Sequence, residues 1–210
     1  MDKSCNSRAR CDRCLRPLAT CFCRFIQCID NQVELLLLQH PDESDNAKNT
    51  AGLLQLSLKN SQLLIGETFE SETLQSLLDA GGKTTLLLYP ALADYRSLGI
   101  EPPPKTPELS SISAQELRLM VIDATWRKSR KMLYLNPSLQ QLPLLSLDET
   151  PASIYKIRKA HSENQLSTLE ASCYALQQLE RETVRYQPLL QAMADFIAQL
   201  AAFIPRQKNG

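Results

Sequence analysis

Met120-Val121-Ile122-Asp123-Ala124-Thr125-Trp126 is an aliphatic run that ends abruptly on an acid, a hydroxyl and the only tryptophan of the chain. Short aliphatic runs bounded by polar residues are typical of strands buried in a parallel sheet. Ligands of open α/β sheets bind beyond the carboxyl ends of the strands. The stretch therefore predicts a buried strand whose polar end, from Asp123 onward, contributes to a binding site.

Aliphatic runs and segments of helical periodicity alternate along the rest of the chain. The predicted strands cover residues 33–38, 62–65, 84–89, 117–122 and 142–147, the last interrupted by Pro143. The predicted helices cover residues 48–58, 71–82, 126–135 and 168–183, and a last one begins at Pro188. This alternation predicts an α/β fold, a mostly parallel sheet with helices on both faces.

Composition and charge exclude several classes of protein. The 210 residues are 43% hydrophobic and 22% charged, which is ordinary for a soluble globular protein. No stretch approaches the roughly 20 apolar residues that span a bilayer, and the polar N-terminus has no signal-peptide core, so we expect no membrane and a cytoplasmic location. Because the formal net charge is zero, any polyanion would be bound by local basic runs, at residues 1–24, 127–131 and 156–159.

Six of the seven cysteines lie in the first 28 residues. Cys11-x-x-Cys14 and Cys21-x-Cys23 place four thiolates in two close pairs, which can surround a zinc ion as a tetrahedron. A redox dithiol fits less well, since this Cys-x-x-Cys does not lie in a βαβ unit. We therefore predict two domains, a four-cysteine zinc knuckle over residues 1–30 and a main domain over residues 31–210.

Two other motifs leave alternatives open. Asp123 could cap the following helix as readily as take part in catalysis, and Trp126 could be a core residue. Ser167 and Glu170 have the spacing of a capping box, although a helix start facing a pocket can also bind an anion. His40, at the end of the first strand, is a candidate for lining the pocket. A P-loop is excluded at Gly82-Lys83-Thr84, because Leu77 stands where its first glycine must lie.

Taken in order from about residue 8 to 180, these motifs resemble the DTW-domain family, the tRNA-uridine aminocarboxypropyltransferases. The family takes its name from an Asp-x-Thr-Trp motif, present as Asp123-Ala124-Thr125-Trp126. The other matching stretches are the N-terminal cysteines, His40-Pro41-Asp42-Glu43, Asn49-Thr50-Ala51-Gly52-Leu53-Leu54, Tyr89-Pro90-Ala91, Tyr155-x-x-Arg158 and Ser167-Thr168-x-Glu170-Ala171.

The resemblance implies a SPOUT-type α/β fold with a C-terminal trefoil knot, S-adenosylmethionine (SAM) as donor substrate and a tRNA uridine as acceptor. The group transferred would be 3-amino-3-carboxypropyl and the by-product 5′-methylthioadenosine. Asp123 would be the catalytic residue, acting as general base or orienting the uracil edge. The residues implied for SAM are Tyr89, Pro90, Ala91, Asp123, Thr125, Trp126, Leu147, Ser167 and Thr168. Those implied for RNA are Arg127, Lys128, Arg130, Lys131 and Arg158, together with the arginines of the knuckle.

Two alternatives to this transferase remain open. A SAM-dependent RNA methyltransferase on the same fold would release S-adenosylhomocysteine instead. A non-catalytic, zinc-dependent RNA-binding module would bind RNA without SAM. We expect the protein to be a monomer.

Overall fold

A computed structural model of the chain describes residues 9–44, 46, 49–91, 95, 99–147 and 166–203. Its centre is a five-stranded sheet in the order β2-β1-β4-β3-β5, and every pair of neighbouring strands is parallel. The strands are β1 (Glu34–Gln39), β2 (Ser61–Ile65), β3 (Thr84–Leu88), β4 (Leu117–Asp123) and β5 (Leu144–Leu145). The predicted parallel sheet is confirmed, and the Asp-x-Thr-Trp motif begins at the carboxyl end of its central strand.

Helices cover both faces of this sheet, as predicted. They are α1 (Pro41–Ser44), α2 (Ala51–Ser57), α3 (Ser71–Asp79), α4 (Trp126–Leu135), α5 (Pro137–Gln140), α6 (Thr168–Glu180) and α7 (Gln187–Phe203). Because successive side chains of a strand point to opposite faces, the leucines of β1 divide between two cores. Leu35 and Leu37 lie in the core with α2, α6 and α7, whereas Leu36 and Leu38 lie in the core with α3, α4 and α5.

Several elements are shorter than the sequence predicts, among them α2, α3, the fifth strand and α6, and the structure gives a reason for the last two. The fifth strand was predicted over residues 142–147, but only Leu144 and Leu145 pair with β3. Pro143 has no N–H to donate to a ladder, and only its carbonyl takes part, accepting from the Leu87 N–H at 2.9 Å. Helix α6 ends at Glu180 rather than near residue 183, because Arg181 adopts a left-handed conformation (φ 53°) that terminates it.

Arg118, a buried residue at the amino end of β4, connects the sheet to α3. The Asp-x-Thr-Trp motif lies at the other end of the same strand. Arg118 and Glu34 are direct partners in the register of β4 and β1, and Arg118 Nε donates to Glu34 Oε2 at 3.0 Å. The same guanidinium donates to the carbonyls of Leu77, Leu78 and Ala80 at 2.7, 2.9 and 2.6 Å. Arg118 thus satisfies carbonyls that the end of α3 leaves without helical partners.

The cysteine-rich segment packs against the C-terminal helix. Phe22 and Phe25 each lie 5.8 Å, centroid to centroid, from Phe196 of α7, and the Arg16 guanidinium lies 5.3 Å from the same ring. These contacts attach the cysteine-rich segment to the core, while the boundary after residue 30 stays a prediction.

The trefoil knot also stays a prediction, because residues 148–165, which join β5 to α6, lie outside the described residues. Tyr155, Arg158 and the basic run at residues 156–159 lie in the same stretch. In the part of the chain that the structure does describe, no helix has both the length and the apolar character needed to cross a bilayer.

Candidate functional site

A cavity of about 460 Å³ opens at the carboxyl ends of β3, β4 and β5, beside the start of α6. Its volume lies within the roughly 300–1,000 Å³ that is usual for small-molecule sites. The residues predicted for SAM that line it are Tyr89, Pro90, Ala91, Trp126, Leu147, Ser167 and Thr168. Residues that are up to about 80 positions apart in the sequence thus meet around one space, because parallel strands bring their carboxyl ends to the same edge of the sheet.

Trp126 stands at the edge of this cavity and is not a core residue. It is 47% exposed, and its ring meets that of Tyr89 edge to face, with centroids 5.7 Å apart and an interplanar angle of 80°. Tyr89 is buried, its hydroxyl lies 3.2 Å from Ser129 Oγ, and burial raises the pKa of its phenol. The pair offers one fixed ring and one partly exposed ring to a planar ligand.

The Asp123 carboxylate is held on both oxygens by donors from other elements. Thr168 Oγ1 donates to Oδ1 at 2.6 Å, and Gln39 Nε2 donates to Oδ2 at 2.7 Å. Asp123 itself is half-buried and is not among the described residues that line the cavity, whereas Thr168 is. The carboxylate therefore lies beside the cavity and is connected to its wall through the Thr168 hydroxyl.

The capping interpretation of Asp123 is wrong. Thr125, not Asp123, occupies the N-cap position of α4, and it makes no side-chain cap hydrogen bond. The Asp123 side chain points instead toward β1 and α6, where its two donors lie. Thr125 is exposed and is not among the described residues of the cavity wall, although its neighbours Ala124 and Trp126 are.

The capping box at the start of α6 is confirmed. Ser167 Oγ accepts from the Glu170 N–H at 3.2 Å, and Glu170 Oε2 accepts from the Ser167 N–H at 2.8 Å. Ser167 is only 4% exposed, and its hydroxyl also donates to Met193 Sδ at 3.4 Å. The Ser167 side chain thus stabilises the helix start that forms one wall of the cavity.

Helix α4 carries two lysines that bind acids of the protein and two arginines that face solvent. Lys128 Nζ lies 2.9 Å from Glu43 Oε1 and 3.3 Å from Asp42 Oδ2, and these carboxylates raise its pKa. Lys131 Nζ lies 2.9 Å from Glu67 Oε2. Arg127 and Arg130 are exposed. Lys131 is exposed as well. The two lysines differ from the arginines in that they are paired with carboxylates, Lys128 with acids of α1 and Lys131 with Glu67 in the loop after β2.

His40 belongs to this ion network and not to the described cavity wall. Its Nδ1 accepts from the Asp42 N–H at 3.2 Å, which leaves Nε2 as the donor to Glu67 Oε1 at 3.1 Å. Lys131 and His40 together lower the pKa of Glu67. The expectation that His40 lines the pocket is therefore wrong: it helps to order the loops beside α4.

Four thiols form a compact cluster in the N-terminal segment. The sulfurs of Cys11, Cys14, Cys21 and Cys23 all lie within 4.8 Å of one another, with Cys11–Cys23 at 3.5 Å and Cys14–Cys21 at 3.7 Å. A tetrahedron with zinc–sulfur bonds of about 2.3 Å has sulfur–sulfur edges of about 3.8 Å. Backbone N–H groups of Cys14 and Arg13 lower the pKa of Cys11 to about 6, whereas burial raises the pKa of Cys21 and of Cys23. The spacing of the four sulfurs, and not these pKa shifts, therefore indicates a metal site. The cluster fits a zinc ion.

Fold and site together define an α/β protein with a small-ligand cavity and a fixed carboxylate at the carboxyl edge of its sheet. The chain belongs to the DTW-domain family, whose model matches residues 8–201. The match extends over both the cysteine cluster and the cavity.

Relatives in animals and plants carry names that describe a tRNA-modifying enzyme. tRNA-uridine aminocarboxypropyltransferase 2 of Drosophila melanogaster is 31% identical over 198 residues, covering 90% of this chain and 73% of that protein. The protein of the same name in Macaca fascicularis is 29% identical over 214 residues, covering 96% and 68%. tRNA-uridine aminocarboxypropyltransferase A of Arabidopsis thaliana is 30% identical over 137 residues, covering 60% and 50%. No solved structure shows a significant match to this chain.

Proposed function

We propose that this protein transfers the 3-amino-3-carboxypropyl group of SAM to N3 of a uridine in tRNA and releases 5′-methylthioadenosine. The observation that carries the proposal is a carboxylate, Asp123, fixed at a strand end beside a cavity of about 460 Å³. Membership of the DTW-domain family and the names of its relatives support the same reaction.

The cavity is the proposed donor site. Bound SAM supplies a carbon made electrophilic by the adjacent sulfonium, which is a good leaving group. Tyr89 and Trp126 offer ring faces or edges to the adenine, and the walls at Pro90, Ala91 and Leu147 exclude water from the apolar part of the ligand. The start of α6, at Ser167 and Thr168, presents the positive end of a helix dipole to the donor carboxylate.

Asp123 is the proposed catalytic residue on the acceptor side. The uridine N3–H must lose its proton before N3 can form a bond to carbon, and a carboxylate at hydrogen-bond distance can orient or accept that proton. Thr168 donates to the carboxylate and also lines the cavity. Its hydroxyl therefore fixes the position of Asp123 relative to the proposed SAM site. Holding N3 and the reacting carbon in line is the larger contribution that we assign to the site.

Exposed arginines are the proposed phosphate contacts. Arg127 and Arg130 face solvent on α4, next to the cavity edge at Trp126. Arg158 and the arginines of the cysteine-rich segment extend the proposed tRNA surface. Lys128 and Lys131 contribute less to it, because acids of the protein already neutralise their charges.

We further propose that Cys11, Cys14, Cys21 and Cys23 bind a zinc ion. Four protein thiolates complete a tetrahedron and leave no open position for substrate, which is typical of structural zinc sites. A knuckle over residues 1–30, a transferase domain over residues 31–210, a monomeric enzyme and a cytoplasmic location complete the proposal.

The by-product of SAM separates the proposed reaction from its alternative. Purified protein is incubated with total tRNA and SAM, and the nucleosides released from SAM are separated by chromatography. The transferase produces 5′-methylthioadenosine in a tRNA-dependent manner, whereas a methyltransferase produces S-adenosylhomocysteine. Neither product, with tRNA from several sources, would contradict both reactions.

A further inference from the structure

Gln39 is the one polar residue at the carboxyl end of an otherwise aliphatic stretch of β1. The strand reads Glu34-Leu35-Leu36-Leu37-Leu38-Gln39, and all six residues are buried. Gln39 is only 2% exposed. A buried amide destabilises a protein unless hydrogen bonds compensate for its lost hydration, and a fifth leucine would continue the pattern without that cost. Packing alone therefore does not explain a glutamine at this position, and its hydrogen bonds have to be considered.

Its hydrogen-bond partner is the proposed catalytic carboxylate. Gln39 is the register partner of Asp123 across β1 and β4, so the two side chains leave the sheet on the same face. Nε2 of Gln39 lies 2.7 Å from Asp123 Oδ2. The backbone carbonyl of Gln39 accepts from the Gly66 N–H at 2.9 Å, which anchors the backbone that carries the amide.

The orientation of the amide follows from the chemistry of its partner. A carboxylate only accepts hydrogen bonds, so the NH₂ group of Gln39, and not its oxygen, must face Asp123. Thr168 donates to the other carboxylate oxygen. Both bonds from the protein are thus donated to Asp123, and its remaining lone pairs stay available as acceptors for a substrate N–H.

We propose that Gln39 is a positioning residue of the transfer reaction: its amide, together with the Thr168 hydroxyl, fixes the Asp123 carboxylate as an acceptor for the N3–H of the target uridine. This inference rests on the proposed function. Gln39 is buried and is not among the described residues of the cavity wall, so it acts on the substrate only through Asp123.

The test replaces Gln39 by methionine, which keeps the length and approximate volume of the side chain and removes the donor. A hydrogen bond to a charged group changes an equilibrium or rate constant by a factor of roughly 10 to 100. We therefore expect kcat to fall roughly 10- to 100-fold. We expect KM for SAM and for tRNA to stay unchanged, and the thermal midpoint not to fall. Gln62→Met is the matched control, since Gln62 is an exposed residue of β2, and it should leave kcat unchanged.

A second variant asks whether Gln39 acts through Asp123. In an Asp123→Asn protein, adding Gln39→Met should not lower the residual single-turnover rate any further. An additional fall by the same factor would show that Gln39 acts independently of Asp123 and would overturn the inference. So would an unchanged kcat in Gln39→Met alone, or a fall in kcat that is matched by a lower thermal midpoint.

The two proposals fail in different ways. A wild-type protein that transfers nothing from SAM to tRNA overturns the proposed function and this inference with it. An active wild-type protein whose Gln39→Met variant is equally active overturns the inference alone.

Discussion

Replacing Arg118 by alanine should destabilise the protein strongly. Arg118 does not line the cavity, so the substitution leaves the residues of the cavity wall unchanged. The Arg118 side chain is 2% exposed and that of Glu34 is 10% exposed, so the substitution leaves a buried carboxylate with Lys83 Nζ, at 3.1 Å, as its remaining ion-pair partner. It also removes the donor to the carbonyls at the end of α3. Breaking a buried ion pair in this way costs about 3–5 kcal/mol. Because Lys83 compensates part of the charge, we expect about 3–4 kcal/mol.

Thermal unfolding followed by circular dichroism measures this effect. For a chain of 210 residues, each kcal/mol changes the midpoint by roughly 2–4 °C, so Arg118→Ala should lower it by about 6–16 °C. Lys83→Met, which removes the more exposed partner, should cost about 1 kcal/mol or less. Adding Glu34→Leu to Arg118→Ala should recover part of the loss, because it removes the buried carboxylate whose charge Lys83 compensates only in part. A midpoint that Arg118→Ala leaves within error of the wild type would refute the assignment of Arg118 as a structural clamp.

Three further predictions concern the cavity, the tRNA surface and the cysteine cluster. Trp126→Ala should weaken SAM binding by about 1–3 kcal/mol, the usual contribution of base–aromatic stacking, as measured by calorimetry. Arg127→Ala and Arg130→Ala should each raise KM for tRNA and reduce the slope of log affinity against log salt by about 1, with kcat unchanged. Cys11→Ser should abolish stoichiometric zinc, as measured by elemental mass spectrometry, and lower the thermal midpoint.

Each of these predictions has a control within the chain and an outcome that contradicts it. Tyr134 is an exposed aromatic residue of α4 that does not line the cavity, so Tyr134→Ala should bind SAM normally. If Tyr134→Ala and Trp126→Ala lost the same amount of SAM affinity, Trp126 would not contact the ligand. Lys131→Ala should change the salt dependence less than either arginine variant, because Glu67 already neutralises that lysine. Cys28 is an exposed cysteine that does not belong to the four-thiol cluster, so Cys28→Ser should retain zinc. Loss of zinc from that variant would contradict the four-cysteine site.

Local patterns predicted the sheet and the main elements of the site. The aliphatic runs of β1 and β4 are long enough to identify both as strands, and the abrupt polar end of the β4 run predicted the edge of the sheet at which the cavity lies. The capping box of Ser167 and Glu170 located the start of α6 to the residue, because capping depends on a fixed spacing of three positions. Cysteine spacing likewise anticipated the thiol cluster.

Contacts between distant segments could not be predicted in the same way. The bond from Gln39 to Asp123 joins residues 84 positions apart, and it depends on the register of two strands that no local pattern encodes. The difference between the lysines and the arginines of α4 depends on where α1 places Glu43 and where the loop after β2 places Glu67. Sequence alone treats all four as one basic run. The capping alternative for Asp123 could be rejected only from the position of Thr125 at the N-cap of α4 and from the two donors to Asp123 on β1 and α6.

Mass spectrometry of tRNA nucleosides detects the proposed product, a uridine that carries a 3-amino-3-carboxypropyl group, and its dependence on Asp123. tRNA is incubated with SAM and either the wild-type protein or Asp123→Ala, then digested to nucleosides. We expect a uridine that gains a 3-amino-3-carboxypropyl group with the wild-type protein, and little or none of this product with Asp123→Ala, although the variant still folds and binds SAM. A wild-type protein that adds a methyl group, or an Asp123→Ala variant as active as the wild type, would contradict the proposed function.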